Sequence, residues 1–300
     1  MPRIPGLHHV TAICGSAQQN VDFWVGVMEQ KFIKKTVNFD DPGTYHLYYG
    51  DAKGTPGTIL TYFPFAGAQP GQAGPGMASA VAYEMPNDMI ARIRSKFPEN
   101  QVRQEERFGD QVIILQDPDG GAVEMVPTDA PAGGHRFHSV TLWERNPEPT
   151  IRLLCDVFGY RHIGEEKGDG FDRHRLETED GGATNLIDVV RSHVPASPRP
   201  GAGTIHHVAF RARNPDEQAE WMDVLASAGH RTTPQIDRNY FQAIYFREPG
   251  GVLFEIATDP PGFSVDEPLS ELGKSLKLPA QYEAMRTRIE KVLPPLKVPR

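Results

Sequence analysis

The chain has 300 residues, a formal net charge of −8, 39% hydrophobic residues and two cysteines, Cys14 and Cys155. This length is typical of two domains, the acidic balance argues against nucleic acid as a partner, and two cysteines cannot build a disulfide framework. The longest aliphatic run, residues 112–115, is too short to span a membrane, and the first ten residues lack the apolar stretch of a signal peptide. The composition therefore predicts a soluble protein of the cytoplasm.

A short alternating strand pattern recurs four times along the chain, and a helix is predicted after each occurrence. The clearest helix begins at Asn214, where an Asn cap is followed by Pro215 and two acidic residues, and it ends at Gly229. The four strand openings are Leu7–Thr11, Ala78–Ala82, Phe137–Thr141 and Ile205–Ala209.

Each predicted helix is followed by two or three strand-like runs, which in the last repeat lie at residues 231–233, 241–246 and 251–256. The pattern predicts an α+β fold of four βαβββ modules in two tandem domains, each a cup-shaped mixed β-sheet with helices outside. The predicted boundaries are 1–130 for modules one and two, 131–262 for modules three and four, a linker near 127–135, and a tail over 263–300 with a short helix near 281–292.

The repeat allows equivalent positions to be compared within this one chain. In modules two and four, a Gly-rich turn precedes a closing strand that carries a carboxylate, Glu124 or Glu255, among apolar residues. Module one offers Leu60, Thr61 or Tyr62 at that position, and module three offers Leu186, Ile187 or, one residue further, Asp188. The residues just before the valine of each opening strand are His9, Ala80, Ser139 and His207.

If modules one and four face each other, His9, His207 and Glu255 converge. Two imidazoles and one carboxylate form the facial triad that suits Fe(II) and leaves coordination positions open. Modules two and three offer no imidazole at the equivalent positions, so we expect no metal there, although Glu124 has the same local context as Glu255. Arg238 and Tyr245 flank the approach to Glu255.

These motifs resemble the vicinal oxygen chelate superfamily, and within it the hydroquinone-type ring-cleaving dioxygenases. The resemblance rests on His8–Thr11, on His206–Val208, and on RNYFQAIYFREPGGVLFE at residues 238–255. It covers residues 5–260 and implies that 1–130 and 131–262 are both vicinal oxygen chelate domains.

The resemblance also implies a mononuclear Fe(II), with Mn(II) as the alternative ion, held by His9, His207 and Glu255. It implies that further residues contact the substrate or the metal ligands. These residues are His8, Thr11, His206, Arg238 and Tyr245.

The resulting hypothesis is an Fe(II)-dependent, extradiol-type dioxygenase that inserts both atoms of O₂ into a hydroquinone- or catechol-type ring. Its partners would be a small aromatic diol and O₂, with no nucleic acid or membrane, and a homo-oligomer is left open. One alternative is a glyoxalase-like metal-dependent isomerase or lyase, which tends to require a fourth protein ligand. The other is a non-catalytic binding protein of the drug-sequestration kind built on the same fold.

Overall fold

The computed structural model describes residues 2–129, 135–168, 170–178 and 186–299. Within these ranges, each predicted module has one opening strand, one helix and three further strands. The strands are β1 Leu7–Cys14, β2 Lys31–Val37, β3 Tyr45–Gly50, β4 Ile59–Pro64, β5 Met77–Pro86, β6 Arg103–Arg107, β7 Asp110–Gln116, β8 Ala122–Thr128, β9 Arg136–Trp143, β10 Tyr160–Gly168, β11 Phe171–Thr178, β12 Leu186–Ser192, β13 Ile205–Ala212, β14 Ile236–Asp237, β15 Phe241–Arg247 and β16 Leu253–Pro261.

Five α-helices accompany these strands in the described part of the chain. In modules one and three the α-helix continues for about one more turn as a π-helix, over Asp22–Val27 and Leu153–Val157 respectively. The α-helices are α1 Ala17–Val21, α2 Asn87–Arg94, α3 Pro147–Arg152, α4 Pro215–Ser227 and α5 Arg286–Val292. The predicted α+β fold of four βαβββ modules is confirmed.

The strands form two mixed eight-stranded sheets, and each sheet joins one module from each half of the chain. One sheet has the order β14-β15-β16-β13-β1-β4-β3-β2 and unites modules four and one; the other, β10-β11-β12-β9-β5-β8-β7-β6, unites modules three and two. Pairing therefore crosses residue 130, and the boundaries 1–130, 131–262 and 263–300 stay a prediction. Of the predicted linker near 127–135, β8 includes the first two residues, and 130–134 lie outside the described residues.

Helix α4 begins as its sequence predicts and then supports the strand that carries Glu255. The Asn214 side chain accepts a hydrogen bond of 2.9 Å from the Glu217 amide, which satisfies a donor that the first turn leaves free. Buried Gln218 donates from Nε2 to the carbonyl oxygens of Gln242, at 2.9 Å, and Ile256, at 2.7 Å. The helix is thereby fixed against β15 and β16.

The position predicted for the first strand after α4, residues 231–233, is wrong. Residues 231–235 form no regular strand, and the edge strand is the two-residue β14. Pro234 has no amide hydrogen to donate to a ladder, so pairing becomes regular only after it. Thr233 still meets β15, because its amide donates to the Tyr245 carbonyl at 2.9 Å.

The C-terminal tail packs on module one through a buried lysine. Lys34 on β2 is fully buried, and its ammonium donates to the Phe263 carbonyl at 3.0 Å, to Asp266 at 2.7 Å and to Glu267 at 2.5 Å. Further along, the Tyr282 hydroxyl donates to the Phe39 carbonyl at 2.7 Å. The helix predicted near 281–292 is present, but Ala280–Met285 is a 3₁₀-helix and only α5 is α-helical. None of the helices described is long and apolar enough to cross a membrane.

A pair of buried carboxyl groups joins modules three and four. Glu144, just after β9, is fully buried, and Glu248 lies in the turn between β15 and β16. Glu248 accepts hydrogen bonds from the Thr150 hydroxyl at 2.6 Å and from the Val252 amide at 2.8 Å. Burial, followed by the charge of Glu248, raises the pKa of Glu144 to about 9. Glu144 is therefore protonated in the folded state at neutral pH.

Replacing Lys34 by Met should lower the free energy of unfolding by up to about 3–5 kcal/mol, because it removes the cation that donates to the buried Glu267 carboxylate and leaves the more distant Lys277, at 3.8 Å. Chemical denaturation measures this loss. Lys31→Met, at an exposed position of the same strand, is the control and should change the free energy of unfolding by less than about 0.5 kcal/mol. Equal, small effects of the two substitutions would contradict this role of Lys34.

Glu144 should make the protein less stable as the pH rises. Its folded pKa lies above its unfolded value, so its protonation favours the folded state at low pH, and this contribution is lost between about pH 4.5 and pH 9. The Glu144→Gln variant has no titrating group at this position. The unfolding free energy of the variant minus that of the original chain should therefore increase over that interval, by at most about 1.4 kcal/mol per pH unit. Denaturation at pH 5, 7 and 9 tests this, with Glu148→Gln on α3 as the control for a lost charge. A difference that is constant with pH would refute it.

Candidate metal centre

Three buried side chains from three strands converge in the sheet that joins modules one and four. His9 Nε2 lies 3.3 Å from His207 Nε2 and 3.4 Å from Glu255 Oε2, and His207 Nε2 lies 2.9 Å from Glu255 Oε2. These three residues form a candidate metal site. Although 198 residues separate the two histidines in sequence, the antiparallel pairing of β1 with β13 places Thr11 opposite His207 and His9 opposite Ala209.

The donor set fits a single divalent ion. Three ligand atoms at about 2.1 Å from one ion, with angles of about 90° to 110° between them, would lie about 3.0–3.4 Å apart. The observed separations are 2.9, 3.3 and 3.4 Å. Neither carboxylate oxygen of Glu255 has a hydrogen-bond donor within the described residues, although Glu255 is fully buried. A cation shared with the imidazoles would remove the cost of that unpaired buried charge.

The electrostatics of Glu255 favour its charged form. Burial by itself would raise its pKa, but the charge of His9 and the contact with His207 outweigh this effect and hold the pKa well below its usual range. Burial lowers the pKa of His207, because it disfavours the charged imidazolium, whereas Glu255 opposes that change. An ionised carboxylate and neutral imidazoles are the forms in which these side chains bind metals.

The sheet register identifies the four equivalent closing-strand positions. Ala209 pairs with Glu255, and by the same relation Thr11 pairs with Thr61, Ala82 with Glu124, and Thr141 with Asp188. Of the alternatives that the sequence left open, module one therefore places Thr61 at the position of Glu255, and module three places Asp188 there. At the position equivalent to Glu255, module one therefore offers a threonine and no carboxylate as a fourth protein ligand.

The first histidine of each His-His pair holds the second one. His8 Nδ1 lies 2.9 Å from His9 Nδ1, and His206 Nδ1 lies 2.8 Å from His207 Nδ1. If His9 and His207 donate through Nδ1, their Nε2 lone pairs face Glu255, which is how hydrogen bonding fixes the tautomer of a ligand histidine. His8 is buried, and burial followed by the influence of His9 lowers its pKa well below the usual range. His206 is exposed beside the site.

Arg238 and Tyr245 also lie at this site, as the sequence suggested. Tyr245 on β15 pairs directly with Glu255 on β16. The Arg238 Nε donates to the Tyr245 hydroxyl at 3.2 Å, and its Nη1 donates to Asp40, from module one, at 3.2 Å. Thr11 is buried, and its hydroxyl lies 2.8 Å from that of Thr61.

A cavity of about 260 Å³ opens beside the three converging side chains. Its lining includes four phenylalanine rings, those of Phe39, Phe63, Phe65 and Phe241. Both His9 and His207 line it, together with His206, Arg238 and Tyr245, whereas His8 and Thr11 lie behind the lining. The volume and aromatic walls suit a single planar ring better than a long or highly charged molecule.

The sequence reasoning missed His46 and Tyr48, which line the same cavity from β3. His46 Nε2 lies 2.8 Å from the Thr61 hydroxyl, and His46 Nδ1 lies 2.8 Å from the Tyr48 hydroxyl. Neither residue belongs to a repeated motif. The available signal was the alternation of β3, which puts residues 46 and 48 on the same face as a polar pair.

The equivalent position between modules two and three is filled by ion pairs. Arg107 donates to both oxygens of Glu124, at 2.7 and 2.9 Å, and Arg175 donates to both oxygens of Asp188, at 2.8 and 3.0 Å. Arg173 adds a third contact to Asp188 at 3.1 Å. Here guanidinium groups supply the positive charge that the carboxylates require, so Glu124 shares the sequence context of Glu255 but not its surroundings.

Comparisons with known proteins agree with this architecture. Residues 136–256 match the model of the "Glyoxalase/Bleomycin resistance protein/Dioxygenase superfamily". "Putative ring-cleaving dioxygenase MhqO" of Bacillus subtilis is 42% identical, over 98% of this chain and 97% of that protein. The chain belongs to this superfamily.

Another relative carries a more specific name, and two solved structures share the fold. "Chlorohydroquinone/hydroquinone 1,2-dioxygenase" of Sphingobium indicum is 32% identical, over 96% of this chain and 95% of that protein. The crystal structure of a "putative dioxygenase" from Bacillus subtilis has a TM-score of 0.90 at 41% identity, and the match covers all of both chains. Glyoxalase I from Zea mays has a TM-score of 0.64 at 15% identity, covers 85% of this chain and 92% of its own, and shares the fold alone.

Glu255→Gln should abolish stoichiometric binding of Fe(II) or Mn(II), because the amide keeps the shape of the side chain but removes the ligand charge. Glu124→Gln should retain full metal content and near-native turnover while lowering thermal stability, since it weakens a buried ion pair with Arg107. Metal analysis after anaerobic purification, with thermal unfolding in parallel, distinguishes the two variants. Equal metal losses in the two variants would contradict the assignment of the metal to modules one and four.

Proposed function

We propose that this chain is an Fe(II)-dependent, extradiol-type ring-cleaving dioxygenase acting on a hydroquinone- or catechol-type aromatic. Its metal ligands are His9, His207 and Glu255, with Mn(II) as the alternative ion. The proposal rests on one observation. Three metal-ligand side chains converge beside a cavity that is lined by aromatic rings. Two full-length relatives support it by name, one as a ring-cleaving dioxygenase and one as a hydroquinone 1,2-dioxygenase.

The position of Thr61 favours this reaction over a glyoxalase-like one. Its hydroxyl is already engaged with Thr11 and His46, each at 2.8 Å. A threonine hydroxyl is a far weaker ligand than a carboxylate, so this side of the site remains open to substrate. Three protein ligands with open positions are typical of Fe(II) oxygenases.

A divalent metal held by His9, His207 and Glu255 would supply a Lewis acid with coordination positions left open. The protein contributes orientation. Phe241 packs against His9, with ring centroids 5.0 Å apart, and the other phenylalanine rings confine an aromatic substrate to a narrow set of poses. His8 and His206 keep the ligand imidazoles in place through their Nδ1 contacts.

Arg238 and Tyr245 line the cavity beside Glu255, and both carry hydrogen-bond donors. Burial, followed by the charge of Glu255, raises the pKa of the Tyr245 hydroxyl, so this group remains protonated and can donate. Because Arg238 donates to the Tyr245 oxygen, it polarises the hydroxyl toward an oxygen in the cavity. Together they stabilise negative charge that develops on a substrate oxygen during ring opening.

Tyr245→Phe and Arg238→Ala should retain the metal and the fold but lower kcat/KM. Loss of one hydrogen bond to a charged oxygen costs about 1.5–3 kcal/mol, which corresponds to roughly ten- to hundredfold in rate. Oxygen uptake with the preferred diol measures the effect, and metal content and circular dichroism serve as controls. An unchanged kcat/KM in Tyr245→Phe would assign that side chain to packing alone.

The function itself is tested with protein purified without oxygen and loaded with Fe(II). Oxygen uptake on a panel of hydroquinones and catechols, with identification of the ring-opened products, should show one O₂ consumed per ring and both oxygen atoms in the product. Methylglyoxal with glutathione serves as the glyoxalase-type comparison. Turnover of that pair, or the absence of oxygen uptake with every diol, would refute the proposal.

A further inference from the structure

A second cavity, of about 320 Å³, also borders the candidate metal centre. Its inner wall is formed by side chains of β1, β5, β13 and β16. Three residues line both this second cavity and the cavity with the phenylalanine rings, which we call the aromatic cavity. They are His206, His207 and Leu253. The two cavities therefore share a boundary that includes one of the candidate metal ligands.

The outer wall of the second cavity comes from two segments that connect successive modules. One segment lies between β4 and β5, and the other lies between β12 and β13. They pair through their backbones, because the Gln72 amide donates to the Arg199 carbonyl at 2.8 Å and the Arg199 amide donates back at 2.9 Å. The lining residues on these segments include Pro75, Pro198 and Pro200, whose rings restrict the backbone. The wall is therefore held by hydrogen bonds and stiff residues.

Most of the lining of the second cavity is apolar. Apart from the two histidines at the boundary, its polar side chains in the described part of the chain are Thr204 and Arg247. The Thr204 hydroxyl donates to the Gly201 carbonyl at 2.7 Å, and Arg247 Nη1 donates to the Gly251 carbonyl at 2.7 Å. Both polar groups thus already bind the backbone, and the remaining surface favours a small apolar molecule over water.

The aromatic cavity has a different rim. Asp40 is exposed at its lining, and Arg238 is paired with Asp40 there. An aromatic diol that fills this cavity also obstructs it, so a second substrate that arrives afterwards needs another entrance. O₂ is small and apolar, and apolar surroundings favour it over water.

The boundary between the cavities suits the passage of a two-atom molecule. Leu253 is half-buried and lies on the same face of β16 as Glu255, two residues further on. Rotation of such a side chain is fast compared with catalytic turnover, so brief openings admit O₂. A substituent on the diol would instead require the boundary to remain open.

We infer that the second cavity is the route by which O₂ reaches the candidate metal centre while a diol occupies the aromatic cavity. This inference rests on the proposed function and assigns its two substrates to different entrances. Leu253 and His206 separate the entrances, and the paired segments around Gln72 and Arg199 keep the O₂ entrance open.

The test fills the second cavity without changing a residue that lines the aromatic cavity. Met77→Trp adds volume at the half-buried start of β5, and Ile205→Phe adds volume at the half-buried start of β13. Met89→Trp is the matched control, because Met89 is half-buried on α2 and lines neither cavity. Metal content and circular dichroism confirm that each variant retains the site and the fold. Two filling variants keep the test decisive if one of them does not fold.

The first readout needs no turnover. Xenon binds in apolar cavities, so crystals under xenon pressure report the sites that an apolar gas occupies. Xenon should occupy the second cavity in the original chain and in Met89→Trp. It should be displaced from that cavity in Met77→Trp and in Ile205→Phe.

The second readout is oxygen uptake by the Fe(II)-loaded protein at a saturating concentration of its preferred diol. In the two filling variants kcat/KM for O₂ should fall by about three- to tenfold, which corresponds to a barrier higher by about 0.7–1.4 kcal/mol. The equilibrium Kd of the same diol for the Mn(II)-loaded protein without oxygen should be unchanged, because the diol binds in the aromatic cavity. Met89→Trp should match the original chain in both quantities.

The absence of xenon from the second cavity of the original chain would overturn the inference. Filling variants that displace xenon but retain the original kcat/KM for O₂ would also overturn it, and so would an equal loss in Met89→Trp. The proposed function fails in a different way. If the Fe(II)-loaded chain consumes no oxygen with any diol, the dioxygenase proposal and the O₂ route are both refuted, whereas normal turnover with unchanged kcat/KM for O₂ in the filling variants refutes the route alone.

Discussion

The antiparallel pairing of β1 with β13 is the contact on which the rest of the site depends. Neither strand has a carboxylate ligand of its own, and each supplies one imidazole to the candidate metal centre. Pairing them brings His9 and His207 within 3.3 Å of each other, and the parallel pairing of β13 with β16 adds Glu255. A shift of one residue in either register would turn these side chains to the opposite face of the sheet, so the site and the sheet must form together.

Approximate symmetry between modules makes the differences between them informative. The same sheet position carries Glu255, Thr61, Glu124 and Asp188 in the four modules. Where a carboxylate occurs beside arginines, the ion pairs are complete, and where it occurs beside histidines, its oxygens lack donors. Buried carboxylates require compensation in both sheets. In one sheet arginine guanidinium groups balance the buried negative charge, and in the other the neighbouring groups are imidazoles. Only the imidazoles leave the carboxylate oxygens available to a metal.

Rigid elements hold almost every residue of the site. The histidines, Glu255, Tyr245, His46 and Tyr48 are on strands, and α4 is fixed behind β15 and β16 by Gln218. The less regular side is the segment around Phe39 and Asp40, which lines the cavity. It is held by the tail through Tyr282 and by module four through Arg238. This arrangement keeps the donors in position before a ligand arrives, which lowers the cost of organising the site.

The sequence by itself determined the module repeat, the α+β class and the three residues of the candidate metal centre, because strand alternation, helix caps and Gly-rich turns are local signals. Comparison between repeats singled out His9, His207 and Glu255 without any knowledge of their distances. Local signals could not decide among Leu60, Thr61 and Tyr62, since the choice depends on which residue of β4 pairs with Thr11.

Tertiary structure alone decided which modules share a sheet, and therefore that the histidines converge while Glu124 is paired with Arg107. It also decided that His46 and Tyr48 belong to the cavity, because the register that makes Tyr48 equivalent to Tyr245 comes from strand pairing and not from a shared sequence motif. Hydrogen bonding between distant strands sets these relations, and such pairing leaves no trace in the short-range pattern of either strand.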